Sequence, residues 1–181
     1  LLEAAVNFVG KNVSEGKIVL FVSTKPQAIS LVEETAKECG MPFVVTRWIP
    51  GLITNFATIK KRIKYLKDLK EQEVTGEFEK YTKKEASKLK KTIEKLETSL
   101  GGVQDMTRKP DVIFVVDVVK DKIVVQEAAR AGIPVVAIVD SNSNPEGVTY
   151  PIPGNDDAVR SINYLVGKIA DAVKSSKKAS K

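Results

Sequence analysis

Short apolar runs alternate with amphipathic stretches along most of the chain. Four runs are continuously apolar and rich in β-branched residues, which is typical of parallel strands covered on both faces; they lie at 18–23, 43–46, 112–116 and 135–139. Amphipathic segments separate them and predict helices at 1–12, 26–38, 121–131 and 156–174. This order predicts an α/β domain in which helices cover both faces of a parallel sheet.

A basic helical hairpin at about 58–100 interrupts the alternation. Its first arm carries apolar residues on one face, Gly76 marks the tip, and Thr82-Lys-Lys-Glu85 is a capping box that starts the second arm. The apolar residues of the second arm recur at spacings of three and four, as in a coiled coil: Ala86, Leu89, Ile93, Leu96 and Leu100. We therefore predict an α/β body at 1–57 and 101–174, an inserted antiparallel coiled-coil hairpin at 58–100 that projects from it, and a basic tail at 175–181.

The positive charge of the chain is concentrated in two places. The net charge is +6, with +5 on residues 59–98, +4 on residues 174–181 and −3 on the remainder. Four lysines repeat on the second arm opposite its apolar seam: Lys84, Lys88, Lys91 and Lys95. Such a separation suits a polyanion such as nucleic acid, although a solvated helix face would show the same pattern.

A second group of candidate contacts precedes the hairpin and continues into its base. Arg47, Thr54 and Asn55 offer polar groups suited to phosphate and sugar oxygens, and Trp48 is either a stacking platform or a core residue. The base of the first arm adds four cations, Lys60, Lys61, Arg62 and Lys64. We predict that these residues, with the lysine row, contact RNA.

An enzyme is the alternative that the α/β pattern raises. Asp117 and Asp140 end two strands and could hold Mg²⁺, and the loop Ser23-Thr-Lys-Pro26 could face a phosphate. That loop has no glycine, however, and the chain has no histidine and a single cysteine, Cys39. We predict no catalysis, metal or cofactor; the alternative is a nucleotide- or Mg²⁺-dependent enzyme lacking a glycine motif.

The stretch 152–158 could also be mistaken for a metal site. We predict instead that Asn155 is the N-cap of the last helix and that Asp156 and Asp157 lie in its first turn, where negative charge complements the helix dipole. Arg160 would then pair with Asp156 or reach a phosphate.

Several motifs occur in an order that resembles a known family. They are Arg47-Trp-Ile-Pro-Gly-Leu-Ile-Thr-Asn-Phe56, Thr82-Lys-Lys-Glu85, Leu100-Gly-Gly-Val103 with Met106, Pro110-Asp111, and Ile152-Pro-Gly-Asn-Asp-Asp-Ala158 with Arg160-Ser161. Together they resemble the bacterial-type small-subunit ribosomal protein S2 family over about residues 18–173. Pro50, Ser23 and Ser141 depart from the residues common in that family, and its histidine-bearing N-terminal arm is absent from this stretch.

The resemblance implies a Rossmann/flavodoxin-like three-layer body with a protruding hairpin. It also implies a structural constituent of the small ribosomal subunit that binds 16S-type ribosomal RNA near the junction of head and body, beside neighbouring ribosomal proteins. Neither a membrane nor a small-molecule substrate is expected. The predicted location is the cytoplasmic ribosome, with an organellar ribosome as the other possibility. Because the chain begins Leu-Leu-Glu without Met, we expect it to be part of a longer protein.

Overall fold

A five-stranded parallel sheet forms the centre of the protein. The computed structural model describes residues 1–179, with only the backbone of Ala179. The strands are β1 (Val19–Val22), β2 (Phe43–Val44), β3 (Val112–Val115), β4 (Val135–Val139) and β5 (Tyr150–Pro153). Their spatial order is β2-β1-β3-β4-β5, the order found in flavodoxin-like folds. Every neighbouring pair is parallel, which confirms the predicted α/β class.

Helices cover both faces of this sheet. They are α1 (Leu2–Ser14), α2 (Ile29–Cys39), α3 (Phe56–Val74), α4 (Lys83–Leu100), α5 (Lys122–Ala131) and α6 (Val159–Ala179). One apolar core joins α1, α2 and α6 to the sheet, and the other joins α5, the loop after β2 and the two hairpin helices to the opposite face. Because β1 and β3 are buried on both faces, their sequences are continuously apolar rather than alternating.

Helices α3 and α4 pack as an antiparallel pair joined through Gly76 and the short 3₁₀ helix Glu77–Lys80. Two ion pairs, Lys70–Glu97 and Lys90–Glu73, establish the direction, since the partners run oppositely along the two helices. Both hydrogen bonds of the predicted capping box are formed. The coiled-coil character of this hairpin and its limits as a domain remain predictions.

Gly102 joins the end of α4 to the edge of the sheet. A side chain there would place its Cβ only 2.2 Å from the carbonyl oxygen of Phe43 on β2, so only glycine allows this approach. The hydroxyl of Thr46 also donates to the carbonyl oxygen of Thr98, at 2.9 Å. The base of the hairpin is thus attached to the edge strand.

The C-terminal third differs most from the sequence prediction. Neither a strand nor a helix was predicted between residues 139 and 156, but this stretch contains β5, whose two prolines are tolerated because it is an edge strand. Helix α6 starts at Val159, three residues later than predicted, and continues to Ala179. Residues 175–179 of the predicted tail are therefore helical, and Ser180 and Lys181 lie outside the described residues.

Candidate nucleic-acid interface

The loop between β2 and α3, residues 47–55, is folded around a buried carboxylate. Its turn is made by Pro50 and Gly51: Gly51 has a φ of +88°, and the N–H of Leu52 donates to the carbonyl oxygen of Ile49 at 3.0 Å. Inside the turn, Glu127 of α5 accepts five hydrogen bonds from the loop. The loop is therefore an ordered platform tied to the body.

Glu127 is charged in this environment although it is only 6% exposed. Burial alone would raise the pKa of its carboxyl group, but hydrogen bonds from Gly51, Trp48, Ile53 and Thr54 outweigh burial and lower it.

These contacts divide the predicted RNA-binding residues of the loop into two groups. Trp48 is buried, and its indole N–H donates to Glu127; the hydroxyl of Thr54 donates to the same carboxylate. Arg47 and Asn55, at the two ends of the loop, are exposed. Of these four loop residues, Trp48 alone is buried; Thr54 is exposed but bonded to Glu127, and Arg47 and Asn55 face solvent.

The cations at the base of α3 are all accessible. Lys60, Lys61, Arg62 and Lys64 are exposed, and none makes an ion pair with another residue of the described range 1–179. The buried residues Ile59, Ile63, Leu66 and Leu69 lie on the inner side of the same helix. Three of the cations, Lys60, Lys61 and Lys64, project away from this apolar face, and Arg62 lies toward its flank.

The lysine row of α4 is accessible in the same way. Lys84, Lys88, Lys91 and Lys95 are exposed and lack an acidic partner within the described part of the chain. At about 100° per residue they lie within an arc of about 60°, along about 16 Å of helix. Three other hairpin lysines are neutralised: Lys67 pairs with Asp105, Lys70 with Glu97 and Lys90 with Glu73. The hairpin therefore carries both paired and unpaired lysines.

A lysine fills the place that the enzyme alternative assigns to a metal. Lys25, which is 8% exposed, lies after β1 with its Nζ 2.6 Å from Asp156, 2.6 Å from Asp157 and 3.3 Å from Asp117. Burial alone would lower the pKa of Lys25, but these hydrogen bonds raise it well above its ordinary value. Burial and the nearby Asp117 raise the pKa of Asp156, because several carboxylates share one ammonium.

The remaining polar groups at this edge are also used internally. Asp121 accepts from both the N–H and the hydroxyl of Thr24, in the loop that could have faced a phosphate. Asp117 accepts from the N–H groups of Val119 and Lys120, so it caps a turn. Asp140, Asp156 and Asp157 each have one carboxylate oxygen within 4.8 Å of the other two, but the Lys25 ammonium already offsets the charge of Asp156 and Asp157. The chemistry here is that of an internal salt bridge.

Three predictions about residues 152–160 need correction, the first being the place of Asp156 and Asp157, which precede α6 and do not lie in its first turn. Asn155 accepts from the N–H groups of Asp157 and Ala158, at 2.8 Å each, but this turn precedes α6 instead of capping it. Asp156 is drawn to Lys25, so the predicted pair between Asp156 and Arg160 is wrong. Arg160 is exposed, and within residues 1–179 it makes no ion pair.

The structural roles of Glu127 and Lys25 were not predicted from the sequence. Glu127 lies among apolar residues of α5 at 124, 125 and 128, and a charged residue on a buried face is a signal that it has partners. Lys25 had no such signal, because its acidic partners are about 90 and 130 residues away along the chain.

Comparison with known proteins supports the motif-based resemblance. The family model described as ribosomal protein S2 matches residues 1–176. The chain is 54% identical over 173 residues to the small ribosomal subunit protein uS2 of Francisella philomiragia, covering 96% of this chain and 72% of that protein. It is 50% identical to the protein of the same name from Dehalococcoides mccartyi, covering 96% and 71%. Among the described residues, no helix combines the length and apolarity needed to span a bilayer. The chain belongs to the ribosomal protein S2 family.

Proposed function

We propose that this protein is a structural constituent of the small ribosomal subunit, where it binds 16S-type ribosomal RNA and contacts neighbouring ribosomal proteins without catalysing a reaction. Its family and its relatives, which are small ribosomal subunit proteins, support this role. In this proposal the α/β body carries an inserted coiled-coil hairpin at 58–100, and both elements contact the RNA.

One observation carries the assignment of the contact residues. All eight hairpin cations predicted to bind RNA are exposed and unpaired within the described range, whereas Lys67, Lys70 and Lys90 have acidic partners. Because an unpaired surface cation releases counterions when it meets a phosphate, it adds more to RNA affinity than a cation that is already neutralised.

Arg47, Asn55 and Arg160 are the contacts that we propose on the body. The Arg47 guanidinium can donate two parallel hydrogen bonds to one phosphate, and Asn55 can bond a sugar or phosphate oxygen. Trp48 and Thr54 support the same contact indirectly, since their polar groups are committed to Glu127.

The experiment compares two triple variants that remove the same charge from the hairpin. The first changes Lys84, Lys88 and Lys91 to Gln; the control changes Lys67, Lys70 and Lys90 to Gln. Each is titrated onto small ribosomal subunits stripped of this protein, at several salt concentrations. Each phosphate contact adds about 0.7–0.9 to the log–log salt slope, so we expect the first variant to lower the slope by about 2–3 and the control to change it little.

The control also tests the structure of the hairpin. Exposed ion pairs contribute only about 0.2–1 kcal/mol each, so both variants should retain the helicity of the parent. Equal slopes for the parent and the first variant would show that the lysine row is only a solvated helix face.

A further inference from the structure

We infer that Glu127 is a positioning residue for RNA binding, a buried carboxylate that holds loop 47–55 in the shape that presents Arg47 and Asn55. The inference rests on the proposed function, because it assumes that the exposed ends of this loop contact RNA. Glu127 itself is buried on α5 and would not touch the RNA.

Both carboxylate oxygens of Glu127 are used, each on a different part of the loop. Oε1 accepts from the indole Nε1–H of Trp48 at 3.2 Å and from the N–H of Gly51 at 2.7 Å. Oε2 accepts from the N–H of Ile53 at 3.3 Å, and from the N–H and hydroxyl of Thr54 at 3.5 and 3.3 Å. The N–H groups of Gly51, Ile53 and Thr54 converge on this carboxylate, which fills the anion site that they form.

The position of these bonds explains why they control the exposed residues. Trp48 directly follows Arg47, and Thr54 directly precedes Asn55. Glu127 therefore holds the loop beside Arg47 and beside Asn55, while the Pro50–Gly51 turn determines the path between them. Releasing the carboxylate would free both ends of the loop and leave the β-sheet contacts in place.

The role requires a carboxylate, and not merely a polar side chain of the same size. A glutamine has one acceptor oxygen and one donor NH₂ group in place of two acceptor oxygens. Whichever way the amide points, its NH₂ would face the donors that now bind one of the carboxylate oxygens. Glu127→Gln should therefore set a donor against donors inside one tight turn and loosen the whole loop, including its Arg47 end, while preserving side-chain volume.

The test uses Glu127→Gln with a matched control, Asp121→Asn, on the same protein. Asp121 is also a buried carboxylate beside α5, but it bonds Thr24 and not loop 47–55. Trp48 is the only tryptophan, so its fluorescence reports on the loop directly. We expect a red-shifted, more quenchable emission in Glu127→Gln, and an unchanged emission in Asp121→Asn.

Rebinding to small subunits stripped of the protein supplies the functional measurement. We expect Arg47→Ala to weaken affinity about tenfold, as the loss of one charge-assisted contact, and Glu127→Gln to weaken it about fivefold. In the Glu127→Gln background, Arg47→Ala should cost less than about twofold, because the misplaced arginine no longer makes its contact. Asp121→Asn should rebind as the parent does.

A milder variant separates positioning from loss of folding. Thr54→Val removes only one of the five hydrogen bonds, from an exposed residue, so it should fold as the parent does and weaken rebinding slightly. Additive effects of Arg47→Ala and Glu127→Gln, or unchanged rebinding of Glu127→Gln with altered fluorescence, would overturn the inference alone. Failure of the parent protein to rebind would overturn the proposed function as well.

Discussion

Replacing Lys25 by methionine should destabilise the protein strongly. The substitution keeps most of the side-chain volume but removes the ammonium shared by Asp117 and Asp156, which are 7% and 3% exposed. Breaking a buried ion pair by removing one partner costs about 3–5 kcal/mol. For a protein of this size, 1 kcal/mol corresponds to about 2–4 °C, so the melting temperature should fall by about 6–20 °C at pH 7.

The pH dependence follows from the direction of the pKa shifts. The pKa of Lys25 is raised on folding. Its contribution to the stability of the folded protein is therefore fully present below the pKa of the unfolded state, near 10.5, and is lost as the pH rises through the pKa of the folded state. In Lys25→Met, Asp156 loses its ammonium partner, and its folded pKa, which burial already raises, should rise further. Protonation then relieves the unpaired charge, so the variant should approach the parent as the pH falls below about 5.

Thermal unfolding followed by circular dichroism between pH 4 and pH 9 measures both effects. A control variant that combines Lys25→Met with Asp117→Asn and Asp156→Asn should recover part of the lost stability at pH 7, because no buried charge remains. A fall in melting temperature of less than about 3 °C for Lys25→Met at pH 7, or a difference from the parent that is the same at every pH, would show that Lys25 does not neutralise buried charge.

Two smaller perturbations test other parts of the structure. Leu66→Ala, at a fully buried position on the inner side of α3, should lower the free energy of unfolding by about 2–5 kcal/mol in urea titrations; a cost below 1 kcal/mol would mean that α3 and α4 pack loosely. Asn155→Ala should cost about 1 kcal/mol by the same measurement, since Asn155 accepts two N–H groups in the turn before α6. Calorimetric titration of the parent with Mg²⁺ should show no stoichiometric binding, and binding that disappears in an Asp156→Asn, Asp157→Asn variant would support the enzyme alternative.

The elements that sequence analysis located well are those governed by local patterns. The β4 prediction matches the structure at both ends, and the capping box at Thr82 forms as predicted, because apolar runs and capping residues act over a few positions. Strand β5 was missed because its two prolines argue against a strand, and only its place at the sheet edge makes them acceptable.

The residues of the candidate site that are simply exposed on a helix could be predicted from the sequence. Positions opposite an apolar seam are exposed in any helix, so the lysine row of α4 could be found from spacing alone. The carboxylate that supports loop 47–55 could not, because α5 lies more than 70 residues further along the chain and no local rule brings the two together. The ion pair between Asp156 and Lys25 also joins residues that are distant in the sequence. It could not be predicted from local spacing, which favoured a pair between Asp156 and Arg160.

The hairpin lies between β2 and β3 in the sequence, and this position affects the order in which parts of the protein fold during synthesis. Strand β1 pairs with β3 on the far side of the hairpin, and the N–H of Ile18 donates to Asp111, 93 residues later. At about 5–20 residues per second, a ribosome needs about 5–20 s to make the intervening chain. During that interval the basic helices emerge before the centre of the sheet can close. Once residues 1–111 have emerged from the ribosome, the nascent chain would therefore expose all the hairpin cations beside a body that has not yet folded.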